Sequence, residues 1–366
     1  MGNVIAAHEI LDLKGTPGPP SPASYLPKSQ QHEAIANSLV SVVIPVYNAE
    51  KDIHPILDEV RKQTYRNAEV IIVDDGSTDQ TLGVAIHECG QMSNARAIGT
   101  NHGGASHARN VGLQSSRGDT VFFMEADCTY EKDYIQKAVE LLNAQPEISA
   151  VCLTGAPLKL RHTLAVECID VENKVQHRLL NEGKIRPFYA WVYRRPAILS
   201  IGGFDEKLFQ GEDKDLFRRF EGVGYTVGWI PGIHWWHKRD QTLPELAGKW
   251  FSRGRMRLLY LLKHRLFGEI LRTLTPLWLT IVGILIALAV PLLGLGIIVV
   301  VIAAILLHSL KNVYISWPLV ARKRVYIGYP LFVLVRNFST ALGYSWALVA
   351  IAVRRLQGRE VSWSNV

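Results

Sequence analysis

The sequence predicts an α/β protein with a mostly parallel central sheet, followed by C-terminal transmembrane helices. Three observations carry that expectation. Between residues 39 and 127, short β-branched runs alternate with stretches of helical periodicity. Two of the predicted strands end in acids, and open α/β sheets bind ligands at that end. Further on, Leu274–Leu307 runs for 34 residues without an Asp, Glu, Lys or Arg. A span needs about 20 apolar residues, so this stretch is too long and too apolar to be one helix of a small soluble core.

The elements follow in order. Residues 1–38 form an extended or disordered lead, since 15–29 (GTPGPPSPASYLPKS) holds five prolines in fifteen residues. The opening MGNVIAAHEILDLKG shows neither the basic n-region nor the apolar core of a secretory signal. Ala6 stands where a myristoylation signal requires Ser or Thr. LVSVVIPV at 39–46 is a buried strand, and Ile53, Ile56, Leu57 and Val60 form a helix stripe within 48–62. AEVIIVDDGS at 68–77 is a second strand, followed by a helix over 78–91. RAIGT is a third strand, 106–115 a helix, and DTVFFMEAD at 119–127 a fourth strand.

Composition narrows the class. The chain of 366 residues suits a catalytic domain plus an extra module. Its 40 Lys and Arg outnumber 33 Asp and Glu, but the excess concentrates between Lys249 and Arg272, directly before the apolar run. That placement suits anionic lipid headgroups and a bilayer rather than nucleic acid. Cys89, Cys128, Cys152 and Cys168 form no CxxC pair, which argues against a zinc site or a disulfide scaffold. No GxGxxG follows the first strand and no GKS or GKT occurs, so dinucleotide and P-loop ATPase chemistry lose ground.

Four clusters carry the candidate chemistry. Pro45 and Tyr47 close the first strand, where the proline frees backbone from the ladder and the ring can lie beside a bound base. Asp74 and Asp75 end the second, just before a Gly-Ser turn into a helix; carboxylates there can accept from a base or a ribose. Capping of the helix accounts for one acid and leaves two adjacent ones unexplained. Glu125 and Asp127, two apart at a strand end, can turn oxygens toward one hard divalent ion, Mg2+ or Mn2+. Finally, Glu212, Asp213 and Asp215 open a helix after the glycine-rich turn at 201–206. A carboxylate there can deprotonate an acceptor, with Asp213 the candidate base and Glu212 its neighbour competitor. Arg109 can neutralise a diphosphate or pair with one of these acids. His237 is a candidate non-carboxylate ligand, and Trp236 a ring for a sugar face; both also suit a sealed domain edge.

VSVVIPVYNAE, VIIVDDGSTDQT, GGASHARNVGLQSSRGD, FFMEAD, GGFDE and GEDKDLFRR, in that order, resemble the family 2 glycosyltransferases with the GT-A nucleotide-diphospho-sugar transferase fold. The resemblance covers about residues 39–240. It implies an inverting transfer from a UDP- or GDP-sugar, a nucleoside site at Asp74 and Asp75, ribose and metal contacts at Glu125 and Asp127, and a general base at Asp213. The family pattern usually has Asp where Glu125 stands. That departure motivates one alternative, a catalytically weak membrane scaffold. A processive polysaccharide synthase is the other, although its Q-x-x-R-W sequence is missing. The C-terminal spans resemble those of members that glycosylate polyprenyl phosphate or a lipid-linked saccharide.

These readings divide the chain into a lead (1–38), a catalytic domain (39–240), basic interface helices (241–273), a transmembrane region (274–353) and a basic tail (354–366). VPLLGLG at 290–296 breaks the apolar run into spans near 274–290 and 295–313. A third segment, 329–353, is interrupted by Arg336, which costs about 2.5–3.5 kcal/mol at a bilayer centre. It therefore lies near an interface, faces protein, or meets a lipid phosphate; three spans are favoured over a re-entrant third segment. With Lys249–Arg272 inside, the catalytic domain is cytoplasmic. Lys249, Trp250, Arg253, Arg255 and Arg257 are then placed to meet a membrane lipid acceptor or its headgroup. A packed set of spans is also compatible with a homo-oligomer.

Overall fold

A computed structural model describes residues 38–155, 163–182, 184, 190–237, 242–316 and 324–358. The Pro-rich lead through residue 37 and the tail beyond 358 lie outside the described residues. The first half alternates as expected: β1 (Val40–Val46), α1 (Ile53–Arg61), β2 (Ala68–Asp74), α2 (Thr81–Gly90), β3 (Ala95–Gly99), α3 (Ala105–Ser115) and β4 (Thr120–Phe123). The acids of 125–127 lie past the end of β4, in a turn rather than in the strand itself. Then come β5 (Cys128–Tyr130), α4 (Tyr134–Ala144), β6 (Ile148–Gly155), α5 (Leu164–Asn181), β7 (Val192–Arg194), α6 (Arg195–Ser200), α7 (Glu212–Gly222) and β8 (Thr226–His237).

The strands form one sheet in the order β3-β2-β1-β4-β7-β6-β8-β5. The pairs β2–β3, β1–β2, β1–β4 and β6–β8 are parallel, whereas β4–β7, β6–β7 and β5–β8 are antiparallel. The period of two explains why β1 and β2 carry apolar residues on both faces. Val42, Ile44, Val70 and Ile72 face one core with Ile53, Ile56 and Leu57. Val43, Ile71 and Val73 face the other with Ala108, Leu113, Leu216 and Phe220. Register sets the site: Val46 pairs with Asp74 and Asp74 with Gly99, so three strands end level. The Met124 amide donates to the Val43 carbonyl, which carries Glu125–Asp127 along the same edge.

Pro45 sits inside a central strand, yet it breaks no ladder bond. The Val43 carbonyl, which faces β4, accepts from Met124, and β4 itself pairs with β1 only as far as Val43. Residue 45 shares that side, so its missing N–H falls beyond the end of the neighbouring strand.

Among the described residues, four helices follow: α8 (Leu243–Lys263), α9 (Phe267–Ala289), α10 (Pro291–Ser316) and α11 (Arg324–Leu356). A capping box between Thr242 and Glu245 starts α8. The break between α9 and α10 falls at Val290, with Pro291 opening the next helix. By length and composition, one described helical stretch, Phe267–Leu288, is apolar enough to cross a membrane; Pro291–Ile305 is a shorter apolar stretch. The third segment lies within one continuous helix, α11.

Helix α5 links the two halves. Val171 and Val175 pack with Leu246, Val301, Ile305, Tyr329 and Phe332 from the last helices. Its acids meet the arginines of α11: Arg324 donates to both oxygens of Glu167, each at 2.9 Å. Arg336 pairs with Glu172, which also accepts from the Tyr329 hydroxyl at 3.0 Å. Arg336 therefore faces protein and is buried. A charge in that position is tolerable only because it is paired.

Candidate active site

The site lies at the carboxyl edge of the parallel half of the sheet. Asp74 and Asp75 are both buried there. Asp74 Oδ2 accepts from the Ser77 amide at 3.1 Å, whereas its Oδ1 is buried without a hydrogen-bond partner. An orphaned carboxylate oxygen at a ligand-binding edge costs about 1–3 kcal/mol, which a donor on a ligand would offset. Asp75 is fully engaged. It accepts from the Gly103 and Gly104 amides at 2.9 and 2.8 Å and meets His102 Nδ1 at 2.8 Å.

Asp75 thus shapes the loop that enters α3. Gly104 ends that loop at φ +90°, and a Cβ there would come 2.9 Å from Phe209. The His102 ring in turn stacks on Tyr47, with centroids 4.4 Å apart. Tyr47 is half exposed, so its other face is free to meet a planar group. Sequence reading missed His102 because a single histidine in a loop carries no periodic or motif signal.

Arg109 joins the third cluster to the fourth. Its Nη1 donates to Glu212 Oε1 at 3.0 Å and its Nη2 lies 3.6 Å from Glu125 Oε1. The guanidinium sits 5.3 Å from the Phe204 centroid and 6.0 Å from that of Trp191, and its Nε is buried without a partner. Burial opposes the charge, but Glu212 and then Glu125 outweigh it and keep Arg109 cationic. Arg109 is thus an ion-pair link between the two acidic clusters.

Glu212 is the more enclosed acid of its pair. Burial, followed by the neighbouring Asp213, raises its carboxyl above the ordinary range. Its Oε2 has no hydrogen-bond partner. Asp213 is half-buried, and its Oδ1 accepts the Lys214 amide at 2.8 Å. The third acid, Asp215, is fully buried and structural. It accepts from Arg219 Nε and His264 Nε2, each at 2.8 Å, and pairs with Lys263 at 2.5 Å. Helix α7 is thereby tied to the end of α8. Gly211 precedes it at φ +86°, where a Cβ would lie 3.0 Å from Tyr260. A small hollow opens between the N-termini of α3 and α7, lined by Gly104, Ser106, Phe209 and Glu212 among others.

The residues present fit a hard divalent ion. Ligand atoms of Glu125, Asp127 and Cys128 lie within 4.8 Å of one another. Burial and then the two carboxylates push the Cys128 thiol well up, and the two carboxylates are the hard oxygen donors of the set. Two carboxylates, with substrate phosphates completing the shell, suit Mg2+ or Mn2+. His237 and Trp236 are placed by backbone alone: they pair with Cys128 and Thr129 in the β5–β8 ladder, beside the Glu125–Asp127 turn. Their side chains lie outside the described residues.

The basic residues of α8 divide. Lys249 and Arg253 are exposed, and Trp250 stands edge-on to Phe332 at 5.0 Å, in the helix contact. Arg257 donates to Glu269 at 2.9 Å, while the Nε atoms of Arg255 and Arg257 are buried without partners.

The mostly parallel sheet, with acidic clusters gathered at its carboxyl edge, has the GT-A fold. Residues 41–202 match Glycosyl transferase family 2. An uncharacterized glycosyltransferase of Rickettsia prowazekii is 27% identical over 192 residues, 51% of this chain and 59% of that protein. Glycosyltransferase AglE of Haloferax volcanii is 26% identical over 223 residues, 59% of this chain and 72% of that protein. The chain thus spans well under the full length of both. Among solved structures, mannosyltransferase PcManGT of Pyrobaculum calidifontis, in complex with GDP-Man and Mn2+, has a TM-score of 0.54 at 20% identity. That likeness covers 94% of this chain and 92% of the other, and it concerns the fold.

Proposed function

We propose that this protein is an inverting glycosyltransferase of the membrane. It moves a sugar from a UDP- or GDP-sugar to a lipid acceptor, polyprenyl phosphate or a lipid-linked saccharide. The observation that carries the reading is Arg109, which holds Glu125 and Glu212 at one edge and so puts the cation-type turn beside the base-bearing helix. Tyr47 and the open Asp74 oxygen form the nucleoside end, and Asp75 holds the glycine loop against it. Glu125 and Asp127 face the diphosphate. Bound there, Mg2+ or Mn2+ neutralises charge on the departing phosphate. PcManGT, which shares the fold, holds GDP-Man and Mn2+.

For a hydroxyl acceptor, Asp213 takes the proton as the acceptor oxygen bonds to the anomeric carbon. The bond from that carbon to the diphosphate breaks in the same displacement, and nucleoside diphosphate departs. Inversion follows because no covalent sugar–enzyme step intervenes. Where the acceptor is a phosphate, it needs no base, and Asp213 positions charge instead. Glu212 is less suited to the proton, because Arg109 already engages it.

The apolar surface supports the membrane assignment. Leu271, Trp278, Leu285, Leu288, Leu292 and Val300 are exposed on α9 and α10. A contiguous band of such residues belongs in lipid. In this reading α9, α10 and α11 are the three spans, α8 lies at the interface, and the catalytic domain is cytoplasmic. The test is to incubate the purified chain with UDP- and GDP-sugars and extracted membrane lipid, with and without Mn2+. Metal-dependent transfer into the organic phase is expected; transfer undiminished without metal would refute the mechanism.

A further inference from the structure

The cations that α7 turns toward the membrane-proximal helices are not accounted for by the reaction centre. Lys214 follows the candidate base directly, and Arg218 lies one turn on, on the same face. Arg218 lies over the Tyr260 ring of α8, 5.8 Å from its centroid, and makes no ion pair among the described residues. Arg257, three residues before Tyr260, gives one guanidinium nitrogen to Glu269 and keeps Nε buried without a partner. Burial, and then the like charge of Arg257, pushes the Lys214 ammonium down to about 7, so these two groups feel each other. Asp213 and Glu269 are the carboxylates acting on Lys214, and Asp213 is needed for the reaction.

Three cations therefore meet two carboxylates in a partly desolvated corner. Placing like charges together out of water is costly unless an anion completes the set. Guanidinium groups fit phosphate oxygens in bidentate fashion, and an ammonium adds a point charge. The corner lies between the start of α7 and the junction of α8 with the apolar α9, where a lipid head would arrive. Lys263, further along α8, is committed elsewhere, to Asp205 and Asp215.

We propose that Lys214, Arg218 and Arg257 form a binding site for the phosphate of the lipid acceptor, holding it beside Asp213. This rests on the transferase reading and deepens it. The site brings the membrane-borne substrate to the base-bearing helix, so α7 supplies both the proton acceptor and the phosphate grip.

The test uses the full chain in phosphatidylcholine nanodiscs, with titration of polyprenyl phosphate and, separately, of UDP and GDP. Arg218→Gln with Arg257→Gln should weaken half-saturation by polyprenyl phosphate at least about tenfold. Nucleotide affinity should stay within about twofold, and Arg218→Lys should recover part of the lipid binding. Unchanged lipid half-saturation would overturn the site, as would a parallel loss of nucleotide affinity, which marks a structural role. Replacing polyprenyl phosphate with phosphatidylglycerol separates the two phosphate sources. Equal competition by that bulk lipid would overturn an acceptor site in favour of general membrane contact. If the wild type binds neither nucleotide, the transferase reading fails, while the lipid arm still decides the cation corner.

Discussion

Asp213 and Glu212 differ by one position and by one partner. Arg109 engages Glu212, which favours Asp213 as the proposed base. Asp213→Asn should lower kcat on a hydroxyl acceptor by about 10²–10⁴-fold with nucleotide affinity little changed. Steady-state kinetics and nucleotide titration on the same preparation check this. Asp127→Asn should abolish metal-dependent turnover, and full activity in that variant would remove Asp127 from the cation site. Arg109→Met strands two carboxylates beside a buried pocket. A loss of about 3–5 kcal/mol is expected, read as a lowered Tm. At the opposite end of the sheet, Glu69 accepts from Ser41 at 2.6 Å and Arg96 at 2.7 Å, and from the Arg117 amide at 2.7 Å. Burial alone would raise its carboxyl, but these bonds outweigh it and hold the pKa at about 2. A depressed folded pKa stabilises above the unfolded value, near 4.5, and that contribution is lost as pH falls toward 2. Glu69→Gln should therefore flatten the pH dependence of Tm across that window relative to wild type.

At the scale of elements, the C-terminal helices cross closely where glycines allow it. A Cβ on Gly343 of α11 would fall 2.2 Å from the Phe251 carbonyl oxygen of α8, and one on Gly254 would fall 2.5 Å from that of Thr340. Backbone cannot yield as a flexible side chain does, so Gly343→Val should destabilise by about 1–3 kcal/mol or more. Gly296, with nothing within 4 Å, is the control, and Gly296→Ala should hold Tm or raise it slightly. Thermal unfolding in one detergent compares the two. Helix α5 acts as a strut at the same scale. Its valines meet the last helices, while Glu167 and Glu172 meet Arg324 and Arg336.

For the whole molecule, the catalytic sheet and the apolar helices are mutually dependent. Cutting the chain after residue 240 would bare the apolar face of α5 and leave Asp215 without Lys263 and His264. Such a fragment should aggregate without detergent, visible as void-volume elution in size-exclusion chromatography, while the full chain in detergent elutes as a discrete species.

The local patterns were legible in the residues themselves. Periods of two and 3.6 give the strands and helices of the first half, and acids at the ends of two predicted strands locate the site edge. Apolar length alone marks α9 and α10. Other features depend on partners distant in the chain, and no local pattern reports them. Glu212, Asp213 and Asp215 look alike in sequence; Arg109, an open face and the Lys263–His264 clamp separate their roles. Arg336 reads as a charge in an apolar helix until Glu172, 164 residues earlier, pairs with it. The sequence by itself determined which segments fold and which end of the sheet carries acids, because both follow from spacing along one stretch of chain. Only the tertiary structure decided which charges meet, because desolvation and pairing are properties of three-dimensional neighbours.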